Sequence, residues 1–312
     1  MKRFDAMSFR EKEQLCEMAF SGCGPLWHLY TDGNAQPILF IDAAELKVGM
    51  NLFGVCVVST PGVKIYTFEL MNNHLHSVVE GEETAVRQFF ESYKLKLQRY
   101  FAKSDRVVDL RGFECSLFRI EDLQSLRNEI VYANRNGFLV RSDCTPYSYP
   151  WGANMCFYNL ALKYLPSVPY KDLSVREKRK ICHSNDVNIP DDGLMVFEGV
   201  LLPSSYCLIS EAEKFFRDAH HYFHLLTRNF EAYSEIAKRM HDSLFLTDDE
   251  LYAAISVISR KRYNVAQPSL LPGRDKIELA KCMHNDYNAS NRQIRSILKI
   301  QAELVDELFP RK

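Results

Sequence analysis

Residues 63–79 restrict the fold more than any other stretch. Residues 63–70 alternate as a strand does, Met71-Asn72-Asn73 reads as a turn, and residues 74–79 read as the returning strand. Side chains alternate across a strand, so His74 and His76 share one face and Leu75 takes the other. Strand rise separates the two imidazoles by about 7 Å along the backbone, a spacing at which both can ligate one divalent metal. Taken alone, the pair reads rather as one hydrogen-bonded, half-buried histidine and one facing solvent. The residues that tip this balance are Tyr132 and Asn136, further along the chain.

The remaining periodicity organises the first half. Residues 7–20 read as an amphipathic helix with Ser8 and Glu11 as a capping box, ended by Gly22, Gly24 and Pro25. Residues 27–31 read as a strand, 42–59 as a helix and 111–120 as another strand. Residues 83–102 form a long helix with Val86, Phe89, Phe90, Tyr93 and Leu97 at helical spacing. Its opposite face carries Arg87, Lys94, Lys96 and Arg99, either a solvated basic face or a set of phosphate contacts. Residues 122–136 form a helix whose apolar stripe is Leu123, Leu126, Ile130 and Ala133, with Gly137 expected as a left-handed cap. The order is strand, helix, strand, strand, helix, strand, helix. It predicts an α+β domain over residues 1–160, an antiparallel sheet with helices on one face. The aromatic, turn-rich residues 141–160 are expected to pack back on that domain.

Residues 161–247 are expected to be a helical connecting region, with 211–240 largely helical. His220 and His224 there share a helix face, read as polar and aromatic surface. Residues 248–312 are expected to be all-α. Helices at 276–284 and from 290 onward, joined by a turn, suit a helix-turn-helix, the second opening on the capping box Ser290–Gln293. Between residues 260 and 300 nine basic residues face three acidic ones, and Arg292, Arg295 and Lys299 are the candidate duplex contacts. Helical packing or dimerisation is the other reading of this part.

Composition narrows the classes. The formal net charge is −1, so no global field draws nucleic acid and any such surface is a local patch. Nine cysteines occur without a CxxC pair, as expected of reduced thiols in a cytoplasmic protein. No apolar run approaches membrane-spanning length, and the charged start is unlike a signal peptide.

Tyr132 and Asn136 lie one turn apart on one helix face, which also carries Ser125, Asn128 and Glu129. If that face lies on the strand surface bearing His74 and His76, Asn136 supplies an oxygen to the same metal and Tyr132 sits one turn away. A divalent ion there polarises a phosphate and stabilises charge on a leaving oxygen. A phenol, with an ordinary pKa near ~10, needs such help to act as a nucleophile. Its attack on a DNA phosphate gives a phosphotyrosine and a 3′-hydroxyl. Two imidazoles and an amide leave coordination positions open, which suits magnesium or manganese better than structural zinc.

These residues resemble a known pattern. Residues 69–76, Glu-Leu-Met-Asn-Asn-His-Leu-His, resemble the MPNHxH signature of the HUH single-tyrosine transposases, particularly the REP-associated group. Tyr132-Ala-Asn-Arg-Asn136 followed by Phe138-Leu-Val140 is similar to that group's YxxxNP…GLV segment, and Tyr147-Ser-Tyr-Pro-Trp151 to its YPWSS. The three motifs keep their order over residues 26–155. The resemblance implies a ferredoxin-like sheet (the HUH domain) with the histidine pair on a central strand and Tyr132 as nucleophile. It implies His74, His76 and Asn136 as ligands of Mg2+ or Mn2+, and single-stranded or hairpin DNA as substrate. The C-terminal helices, as an added domain, would read duplex DNA, in a monomer or homodimer associated with the nucleoid. Asn72 and Gly137 stand where the family usually has proline. The alternative is a catalytically silent DNA-binding regulator that retains the transposase fold; a metal-dependent hydrolase without a protein–DNA bond is a third reading.

Overall fold

The computed structural model describes residues 7–104, 106–140, 148–190, 193–228, 230–240 and 246–310. The side chains of residues 138–140, 228, 230 and 231 are outside that description, as is the first tyrosine of the segment 147–151. The chain forms two compact units, Met1–Leu226 and Thr227–Lys312.

The first unit opens with helix α1 (Phe9–Ser21), started by the reciprocal Ser8–Glu11 capping box. Strand β1 (Leu26–Tyr30), helix α2 (Ala43–Ser59), strands β2 (Lys64–Leu70) and β3 (Leu75–Glu80), helix α3 (Glu83–Phe101), strand β4 (Ser116–Ile120) and helix α4 (Leu123–Val140) follow. The strands form one antiparallel sheet in the order β2-β3-β1-β4. Strands β3 and β1 are therefore central. Tyr30 stands opposite His76 on β1 and β3, and Glu69 stands opposite His76 on β2 and β3.

Helices cover both faces of this sheet, not the single face expected. Phe68 stacks on Phe53 of α2, with ring centroids 4.1 Å apart, and Phe53 meets Phe89 and Tyr93 of α3. The next residue, Glu69, points to the other face, where its Oε2 accepts the Gly137 N–H of α4 at 2.5 Å. The expectation failed because α4, buried all round from Glu129 to Gly137, takes the face of the sheet that α2 and α3 leave to it. A helix buried on every side is roofed on its outer surface too.

Gly137 lies within α4, which continues to Val140, and is not its cap. A Cβ at Gly137 would collide with the Tyr149 ring, so the missing side chain serves close approach, not a left-handed turn. Tyr149 in turn donates to the Leu70 carbonyl at 2.7 Å, Leu70 N–H donates to Trp151, and Gly152 bridges Glu69. The described part of the aromatic segment thus covers the outer edge of β2, a strand edge that would otherwise be unpaired.

Residues 161–226 belong to this first unit and are not purely helical. Strands β5 (Val168–Pro169), β6 (Met195–Phe197) and β7 (Val200–Leu201) form a second, three-stranded sheet, with helices α5 (Val175–Cys182), α6 (Ile209–Glu213) and α7 (Ala219–Arg228) around it in sequence. Asn51 of α2 ties this sheet down. Its amide donates to Gly199 O at 2.9 Å and accepts the Leu201 N–H at 2.8 Å.

The second unit holds α8 (Phe230–Met240), α9 (Asp248–Tyr263), α10 (Gly273–Tyr287), α11 (Asn291–Leu298) and α12 (Ala302–Leu308). Helix α9 starts on a Thr247–Glu250 capping box and carries Arg260, Lys261 and Arg262 in its last turn, where the helix dipole favours cations. Helix α10 runs three residues past the expected end. Asn288 then turns left-handed at φ 48°, and Ser290 with Gln293 caps α11 at once. Ile294, Ile297 and Leu298 form the buried face of α11, as their spacing predicts.

Candidate active site

The interface between α4 and the central strands is polar. On the sheet side it presents His28 and Tyr30 from β1, His76 from β3 and Glu69 from β2; on the helix side, Glu129, Tyr132 and Asn136. Residues 129, 132 and 136 follow one stripe of α4, which is why they meet the same strands. The Tyr132 ring centroid lies 5.4 Å from that of His76 and 6.1 Å from that of His28, edge-on to both. His74, at the mouth of β3, lies 5.3 Å from His76 between ring centroids. The structure therefore brings His74, His76 and Tyr132 together, with Asn136 one turn along from the tyrosine.

Each histidine has its Nδ1 engaged. His74 Nδ1 lies 2.7 Å from Asn73 Oδ1. The Asn73 amide nitrogen donates to the Gly33 and Gln36 carbonyls, so its oxygen is the atom turned to His74. His74 consequently donates through Nδ1. His76 Nδ1 lies 3.0 Å from His28 Nε2, and His28 Nδ1 lies 2.6 Å from Glu129 Oε2. The two Nε2 edges are what a metal ion would meet.

Asn136 Nδ2 is buried with no hydrogen-bond partner among the described residues. A half-turn of the amide about its terminal bond would put its oxygen there, as an oxygen ligand requires. The donor set of two imidazoles and one amide thus fits an open divalent site. Among the described residues no group of three or more His, Cys, Asp or Glu side chains is arranged to hold a metal.

Glu69 is a residue that spacing did not single out. It is fully buried, its Oε1 has no partner among the described residues, and desolvation holds its carboxyl well above the ordinary carboxylate range despite the Gly137 N–H. Thr67 donates to Asn134 Oδ1, and Asn134 donates to the Tyr222 hydroxyl at 2.8 Å, extending the polar layer. His28 was also missed. Its one signal is period-two placement in a strand beside β3, and no local spacing links it to Glu129.

The basic candidates lie elsewhere. Arg87, Lys94, Lys96 and Arg99 sit on α3, which packs on the opposite face of the sheet, so they are not gathered around Tyr132. Arg87 and Arg99 are exposed, and Arg87 pairs with Glu83 at 2.8 Å. In the second unit Arg292 reaches Asp248 at 3.2 Å, Arg295 approaches Asp306 at 3.9 Å, and Lys299 is an exposed left-handed cap of α11. His220 and His224 stack at 6.5 Å between centroids. No described helix is long and apolar enough to cross a membrane. No protein-family model, curated protein or solved structure matches this chain.

Proposed function

We propose that this protein is a metal-dependent DNA nickase and strand transferase of the HUH single-tyrosine kind, acting in the cytoplasm on single-stranded or hairpin DNA. The observation that carries the reading is the Tyr132 ring set against His76, which has His74 beside it and, like His74, has its Nδ1 engaged elsewhere. The sheet order β2-β3-β1-β4 supports a ferredoxin-like reading, since two interleaved strand–helix–strand units arrange their strands so.

In the reaction Tyr132 loses its phenolic proton and its oxygen bonds the phosphorus. The bond from phosphorus to the 3′-oxygen breaks, and that oxygen takes up a proton. The step is neutral in electrons and leaves a 5′-phosphotyrosine, whose ester bond lets the strand be rejoined without ATP. His74, His76 and Asn136 would hold Mg2+ or Mn2+, which supplies charge stabilisation at the phosphate and the leaving oxygen. The chain's own part is to keep the phenol, the amide and the imidazoles on one helix–strand interface.

Helices α10 and α11, joined by the short turn at Asn288, suit a helix-turn-helix that reads duplex DNA through Arg292, Arg295 and Lys299. The Arg292–Asp248 pair is exposed and holds its arginine weakly, which leaves it exchangeable for a phosphate.

A second reading, a silent DNA-binding regulator, draws on one observation: Tyr132 is 1 % exposed. A strand reaches it only after neighbouring side chains move. One experiment separates the two. Protein and a hairpin oligonucleotide are mixed with manganese or with EDTA and run on a denaturing gel. The transferase gives a manganese-dependent adduct, which Tyr132→Phe abolishes while DNA binding persists. An adduct that survives in the Phe variant removes Tyr132 as nucleophile; binding without any wild-type adduct establishes the regulator.

A further inference from the structure

Glu129 on α4 and His28 on β1 form a buried chain that ends on His76. The three residues are 1 %, 0 % and 1 % exposed, so water does not compete for their hydrogen bonds. A carboxylate accepts and does not donate, so Glu129, 2.6 Å away, fixes the proton of a neutral His28 on Nδ1. His28 Nε2 is then an acceptor. Across the 3.0 Å gap the donor is His76 Nδ1–H, which leaves the His76 lone pair on Nε2. The opposite tautomer of His76 would set two lone pairs against each other.

The same end is reached differently at the two histidines. At the mouth of the strand, His74 is oriented by its sequence neighbour Asn73. His76 lies inside β3, where both sequence neighbours point to the other face. Its partner has to come from the adjacent strand, one diagonal away from Tyr30, and that partner is oriented in turn from α4.

We propose that Glu129 and His28 are positioning residues that lock His76 in the Nδ1–H tautomer, keeping its Nε2 available to a divalent cation. The use made of that cation rests on the transferase reading; the tautomer does not. Outer partners of this type typically change metal affinity by about 10–100-fold when removed.

Long-range proton–nitrogen correlation spectra of the metal-free, nitrogen-15-labelled protein test the lock directly. The expected result is His76 protonated on Nδ1 and bare on Nε2; a proton on Nε2 overturns the proposal. His28→Phe keeps a ring of similar size and removes both nitrogens. It should mix the His76 tautomers and weaken Mn2+ binding, read by calorimetry, about 10–100-fold. Glu129→Leu should do the same, whereas Glu129→Gln, which keeps an oxygen to accept the His28 proton, should bind Mn2+ nearly as wild type. Unchanged Mn2+ affinity in a folded His28→Phe protein also overturns the proposal. If that variant fails to fold, the spectra of the unsubstituted protein decide alone. A wild type with the expected tautomer that binds no Mn2+ and forms no DNA adduct sinks the transferase reading and leaves the lock in place.

Discussion

On one face of the sheet Phe68 stacks on Phe53 at 4.1 Å and the cluster continues through Phe89 and Tyr93, without an ionisable acid or base among them apart from a tyrosine. One residue along the same strand, on the other face, Glu69 is sealed beneath α4 among His28, His76, Glu129, Tyr132, Asn134 and Asn136. Both layers exclude water equally well. The first is held by area removed from water, which is non-directional and tolerant of shape. The second depends on directional partners, because an unpaired polar atom there costs far more than in water, and it already leaves Glu69 Oε1 and Asn136 Nδ2 without one among the described residues. Replacing such a network by well-packed apolar residues is often neutral or stabilising. Stability alone therefore does not account for the polar layer, which the proposed chemistry would require.

The comparison is broken most severely from the apolar side. Phe53 is wholly buried at the centre of its cluster, and Phe53→Ala should cost about 3–5 kcal/mol of unfolding free energy, as lost transfer energy plus a cavity. Because the aromatic partners of Phe53 lie on the face of the sheet away from α4, the His28–His76 contact should survive in whatever fraction stays folded. Chemical denaturation together with the imidazole spectra checks both halves. A cost under about 1 kcal/mol would mean that this face collapses to fill the gap, and that the aromatic cluster is not what holds the sheet.

Thr67→Val tests the other face with almost no change in shape. The threonine hydroxyl donates to Asn134 Oδ1, and Asn134 is committed through its nitrogen to Tyr222. Valine leaves that oxygen buried without its donor, at about 1–3 kcal/mol. Denaturant unfolding that shows no loss would place Asn134 in a looser layer than the geometry describes and would blur the contrast between the faces.

What the sequence makes legible follows the same division. The apolar face is written locally: Val86, Phe89, Phe90, Tyr93 and Leu97 recur at helical spacing and all are buried. The strand-and-helix order was readable for the same reason. The polar face is written between distant residues. His28 and Glu129 lie 101 positions apart, so no window of sequence contains both. Gly137 looked like a cap because a glycine after an amphipathic run commonly is one, and only the approach of Tyr149 shows what it is for. Strands β5 to β7, of two or three residues each, are too short to display a period of two.

Glu69→Gln is the mildest change, since the glutamine oxygen can still accept the Gly137 N–H and no contact need be lost. It isolates the charge. Burial raises the Glu69 carboxyl well above its ordinary value of 4.5 in the folded protein. The folded state therefore keeps a proton that the unfolded chain releases as pH rises past that value. Stability from this group is complete below pH 4.5 and is lost as pH climbs toward the folded-state titration. The wild type should thus melt progressively lower than the glutamine variant as pH is raised from the acidic end to neutrality, with the two curves converging at low pH. Parallel melting curves across that range would show that Glu69 titrates alike in both states, and that the layer beneath α4 is wet and not dry.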